Sequence, residues 1–110
     1  MSIEDSRSID NLGISKSDDK AVLVISDHLN WEDEQAHFDL LEKKIGKYLG
    51  FIKSGRLLEV LPDSKGKDVR IDLIYQFQPS EMGSRFLSAA KQELQSMGVE
   101  LTYKELPEGY

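Results

Sequence analysis

Five consecutive residues, Ala21-Val22-Leu23-Val24-Ile25, are all apolar. An extended run with no polar alternate belongs in the middle of a sheet or under cover on both faces. The chain is therefore expected to build a sheet around this segment and to pack at least one further layer against it. Upstream, Ile9, Leu12 and Ile14 flank Gly13 and predict a short strand with a bulge at the glycine. Lys16-Ser17-Asp18-Asp19-Lys20 is a polar turn, so the two runs read as a β-hairpin.

The next segment changes period. Phe38, Leu41, Ile45, Tyr48, Leu49 and Ile52 recur at three- and four-residue steps, as one apolar stripe of a helix does. Asn30 is the expected cap of a helix starting at Trp31, with Asp33 at its third position. Acidic Glu32, Asp33 and Glu34 stand at the start and Lys43, Lys44, Lys47 and Lys53 towards the end, the order that the helix dipole favours. Gly55 is the expected stop.

Leu57-Leu58-Glu59-Val60-Leu61-Pro62 fits either a short edge strand or an extra turn of helix. Residues 63–68 are a glycine-containing turn, after which Val69, Ile71, Leu73, Tyr75 and Phe77 alternate with more polar neighbours as a strand does. Ser80 caps a second helix whose buried side is expected to hold Phe86, Leu87, Ala90, Leu94 and Met97. Gly98 ends that helix, and Val99, Leu101 and Tyr103 form a final strand. The order β-β-α-(β)-β-α-β predicts an α+β two-layer sandwich, with two helices on one face of a four- or five-stranded, mostly antiparallel sheet. Residues 1–8 read as a loose lead-in, 9–106 as one domain and 107–110 as a tail.

A chain of 110 residues buries roughly two-thirds of its unfolded surface, enough for one core without staples. Twenty acidic against 14 basic residues give a net charge of −6, which repels phosphate backbones and argues against nucleic-acid binding. The same charge serves solubility, or attraction to a basic partner. Cysteine is absent, which removes disulfides, thiolate nucleophiles and cysteine-ligated zinc. No basic-then-apolar leader stands at the N-terminus and no apolar run is long enough to cross a bilayer, so the expectation is a cytoplasmic protein with no membrane association.

Asp33 and His37 lie four apart on one helical face, workable spacing for two metal ligands, and His28 is a conceivable third. The pair reads equally as a surface charge pair. No G-x-S-x-G elbow and no glycine-rich phosphate loop is present, and the paired carboxylates fall in turns and first helical turns. No catalytic arrangement and no cofactor is expected. Trp31, the single tryptophan, follows Asp27 and His28 at the strand-to-helix corner, as a plug of the core end or as a rim aromatic of a binding site. Leu40 and Phe51 project away from the helix stripe. Either residues 57–61 or the lead-in folds over them, or they form a partner surface or a homodimer seam.

Three segments, Ile9–Ile14, Val24–Trp31 and Tyr48–Gly55, resemble an uncharacterised family of small bacterial proteins, a domain of unknown function. The middle segment carries the pattern Ile-Ser-Asp-His-Leu-x-Trp, and the resemblance covers most of the chain. It implies a standalone bacterial cytoplasmic domain and brings no activity with it. The function expected from the residues is that of a non-enzymatic interaction protein, as an immunity-type inhibitor of a basic partner would be. The alternatives are a small-ligand or metal-binding module around Asp27, His28, Trp31 and His37, and a homo-oligomeric accessory domain using Leu40 and Phe51.

Overall fold

The apolar run becomes β2 (Ala21–Asp27), and it takes neighbours on both edges. A computed structural model describes residues 9–106; the expected lead-in at 1–8 and tail at 107–110 lie outside the described residues. β1 (Asn11–Ile14) pairs antiparallel with β2 across the tight turn at 15–20. The register runs from Asn11 opposite Val24 to Ile14 opposite Ala21 without a skipped residue, so the bulge expected at Gly13 is absent. β3 (Val69–Tyr75) and β4 (Val99–Glu105) follow in the order β1-β2-β3-β4.

The fold is α+β, as expected, but the sheet is mixed rather than mostly antiparallel. β2 pairs parallel with β3, and β3 parallel with β4. The reason is the length of the connections. A helix lies between each of these strand pairs and returns the chain to the end of the sheet from which it left, which only parallel pairing accommodates. Both crossovers step in the same direction across the sheet, so their right-handedness puts both long helices on one face.

Burial follows that layering. Leu23, Ile25, Ile71, Leu73, Val99 and Leu101 are buried beneath the helices. The alternate residues Val22, Val24, Arg70, Asp72 and Ile74 are half-buried on the uncovered face. β2 is thus central in its sheet, yet the described residues cover it on one face only.

The first long helix, α1 (Glu34–Lys53), starts later than Asn30 suggests: Asp33 is the cap, accepting from Ala36 N. Asn30 instead closes a turn by accepting from Glu32 N, because the corner holds residues 31–33 out of helical geometry. Gly55 adopts a left-handed φ of 85° after the helix. The ambiguous segment resolves as helix α2 (Arg56–Val60), followed by one 3₁₀ turn at Pro62–Ser64. β3 stops at Tyr75, two residues before the expected Phe77, which is exposed. The last helix, α3 (Glu81–Ser96), is capped by Ser80, whose Oγ accepts from Gly83 N. No helix among the described residues is long and apolar enough to cross a membrane.

Gly46 and Gly50 lie on the outer side of α1, and a Cβ at either meets no described atom within 4 Å. Close packing does not explain them. Gly46→Ala is expected to raise the unfolding free energy by about 0.5–1 kcal/mol through helix propensity alone, read as a higher urea midpoint. A lower midpoint would show that the position has a neighbour after all.

Candidate functional site

β2 ends in Asp27, whose covered-face position carries a carboxylate under the first turns of α1. The buried Asp27 Oδ2 lies 2.6 Å from Nε2 of the equally buried His37. The other ring nitrogen, Nδ1, lies 3.0 Å from the carbonyl oxygen of Asn30. A carbonyl only accepts, so Nδ1 carries a proton and donates to it. Asp27 Oδ1 accepts from Leu29 N at 3.1 Å, and its backbone carbonyl from Gln76 N at 2.9 Å.

Trp31 closes the cluster. Its ring stacks on His37 at a centroid distance of 3.7 Å, and its Nε1 donates to the Phe77 carbonyl at 3.3 Å. Against the indole packs α3 at Gly83, where a Cβ would stand 2.8 Å from Trp31 Cζ3. Ser80 Oγ donates to Glu34 Oε2 at 2.7 Å, and Phe38 stacks on Phe86 at 5.0 Å. The corner therefore ties together β2, the start of α1, the loop after β3 and the start of α3. Gly83→Ala forces the rigid indole aside. Its overpacking cost of about 1–3 kcal/mol outweighs a helix gain of about 1 kcal/mol. The expected result is a net loss of stability with a shifted fluorescence maximum of the single tryptophan; an unchanged spectrum would contradict the contact.

Of the residues singled out in the sequence, Asp27, Trp31 and His37 converge. His28 is exposed, and it lines a cleft of about 600 Å³ with His37, Asn30, Asp33, Leu40 and Phe77. The Asp33–His37 pair expected at the helix surface does not form, because Asp33 caps α1 while His37 turns inward to Asp27. Both nitrogens of His37 are engaged, which leaves no imidazole lone pair for a metal or a substrate proton. Among the described residues no group of three or more potential ligands converges. The half-buried Leu40 and Phe51 both pack on the core, Phe51 in a separate cleft with Ile9, Gly50 and Arg56.

A second buried cluster went unread in the sequence. Lys44, read in the sequence only as one of the lysines that suit the helix dipole, is fully buried, and its Nζ lies 2.9 Å from Asp10 Oδ1. Asp10 Oδ2 accepts from Ser26 N at 2.9 Å. Tyr48 Oη accepts from Asp10 N at 2.8 Å and donates to the Val24 carbonyl. The signal was there as spacing: residues 37, 41, 44, 45 and 48 share one stripe of α1.

Burial, with the Asp10 charge adding to it, holds the Tyr48 phenol well above its usual value of 10.0. A raised folded-state value contributes stability that is complete below the unfolded value and is lost as pH rises through and beyond it. Stability is thus expected to fall in alkali above about pH 10, and the fall to be shallower in Tyr48→Phe. Equal alkaline slopes in the two proteins would contradict this.

The uncovered face of the sheet is laced with ion pairs. Arg70 binds Asp72 at 2.7 Å and also Asp18, Thr102 Oγ1 donates to Asp72, and Lys20 reaches Glu100 at 3.1 Å. On the helical side, a groove of about 470 Å³ runs between α1 and α3, walled by Leu49, Phe86, Ala90 and Met97 and by the carboxylates of Glu42 and Glu93. Phe86, Ala90 and Met97 were expected in the core. Phe86 and Ala90 are only half-buried, and Met97 is 38% exposed, because the stripe of α3 is wider than the sheet beneath it can cover.

The sequence model of a family of unknown function (DUF6572) matches residues 1–107, and the chain belongs to that family. This agrees with the resemblance to a domain of unknown function. No curated protein and no solved structure matches the chain.

Proposed function

We propose that this member of the family is a non-enzymatic, cytoplasmic interaction protein that engages a basic protein partner. The observation that carries the reading is the division of labour among its side chains. The histidine–carboxylate cluster is satisfied within the fold, whereas the helical layer exposes apolar side chains beside carboxylates. Neutralisation of a basic enzyme, in the manner of an immunity protein, is a form that suits this charge, because complementary fields speed encounter and set register.

The test is cross-linking in the source cell through the exposed lysines of α1 and α3, Lys43, Lys47, Lys53 and Lys91, read by mass spectrometry. The expected result is reproducible links to one basic protein, weakened in high salt. The reading falls if no such links form, and all the more if a metal ion or small metabolite raises the melting temperature by several degrees.

A further inference from the structure

We propose that the groove between α1 and α3 is the docking site for a basic amphipathic helix of the partner. This rests on the interaction reading above and gives it a place and a partner chemistry.

Two parallel-lying helices on a sheet leave a furrow along their outer seam, and a third helix is the element whose ridges fill such a furrow. Here the furrow is deepened by small residues on both walls. Gly46 on α1 has no described atom within 4 Å of a Cβ position, and Ala89 and Ala90 stand opposite on α3. Helix propensity disfavours Gly46 by about 1 kcal/mol, and nothing described within this chain occupies the space it leaves.

The walls are chemically suited to a helix. Leu49, Phe86 and Met97 present apolar surface, and Met82, 53% exposed, extends it along α3. Methionine adapts its shape to an incoming apolar side chain at little cost. Glu42 to Leu49 spans about 10 Å of helix axis, room for roughly two turns of a partner with anchors at i, i+3 or i+4 and i+7.

Charge selects the occupant. Glu42 on one wall and Glu93 on the other line the groove, while Lys53 Nζ rests on the Met97 sulfur at one end. Lysines or arginines flanking the apolar stripe of a guest therefore meet a carboxylate on each side away from that end. A second copy of this chain, seated groove on groove, would bring these carboxylates towards their own equivalents, which like-charge repulsion opposes.

The experiment uses the full chain and a fluorescein-labelled synthetic helix of about 18 leucines and lysines, patterned with one apolar face. Its controls are a scrambled peptide of the same composition and a version with glutamate for lysine. The patterned basic peptide is expected to bind at least about tenfold more tightly than either control, with amide shifts confined to the facing sides of α1 and α3. Gly46→Arg fills the groove where the structure has room for a side chain, so the fold survives, and it is expected to weaken binding by about tenfold or more. Gly46→Ala serves as the folded, groove-open control and binds as the wild type does. Joint Glu42→Lys and Glu93→Lys substitution is expected to weaken binding similarly at low salt.

The assignment is overturned if Gly46→Arg leaves binding unchanged, if the scrambled peptide binds equally, if the shifts map to the open sheet face, or if sedimentation shows a second copy filling the groove. Should the groove assignment fail while cellular cross-links to a basic protein persist, the interaction reading stands and its surface lies elsewhere. Loss of both removes both.

Discussion

Replacing Lys44 with methionine lowers the unfolding free energy by about 3–5 kcal/mol, a large share of what a domain of this size has. Methionine keeps the apolar stem and removes only the ammonium. The Asp10 carboxylate, itself almost completely buried, then retains the amide of Ser26 but no cation among the described residues. Taking out one partner of a buried pair is costly for that reason, even where the pair as a whole contributes little over an apolar substitute. Substituting Asp10→Asn as well removes the stranded charge and is expected to recover much of the loss. Lys43→Met, one residue away on the exposed side of α1, is expected to change stability by less than about 0.5 kcal/mol. Urea titrations followed by circular dichroism decide it. A Lys44→Met loss no larger than that of Lys43→Met would mean that water reaches Asp10 and that the clamp between Asp10 and α1 is not sealed.

That lysine also marks where sequence reading stops. The existence of α1, α3, β3 and β4 is legible because burial on one side imposes a period, and 3.6 and 2 are easily told apart, whereas β2 shows as an unbroken apolar run. Which strands pair in parallel is not written in any local period; it follows from the helical crossovers and their handedness. The state of Arg56–Val60 was undecidable because five residues carry too little periodicity for either pattern. The cap of α1 was placed three residues early because Asn30 and Asp33 are equally good capping residues. The choice is made by Trp31, which must reach Gly83 and Phe77 rather than join the helix.

The candidate site divides along the same line. Asp27, Trp31 and His37, close together at the strand-to-helix corner of the sequence, do meet. Their job was harder to see, since the inward turn of His37 depends on Asp27 lying beneath it in a different element. Leu40 and Phe51 project away from the stripe centre, yet they are about 16 Å apart along α1 and sit in different clefts. The broader uncovered apolar surface is the groove, hidden in the sequence because Phe86 and Met97 keep step with the true core positions Leu87 and Leu94.

His37→Ala is expected to cost about 3–5 kcal/mol, whereas Asp27→Asn costs no more than about 1.5 kcal/mol. The alanine leaves the buried Asp27 carboxylate with the Leu29 amide alone, strips a donor from the Asn30 carbonyl, and removes the ring on which Trp31 lies. The asparagine strands nothing. Its Oδ1 still accepts from Leu29 N, its Nδ2 donates to the Nε2 of a neutral His37, and Nδ1 keeps its proton for the Asn30 carbonyl. Trp31 emission should therefore shift in the alanine variant and hold in the asparagine variant. A pair kept for chemistry rather than for packing gives another result, because removing a strained functional group leaves stability unchanged or raises it. If His37→Ala proves as stable as the wild type, the corner is not a keystone of the fold, and the ligand-binding alternative around Asp27, His28, Trp31 and His37 takes the place of the interaction reading.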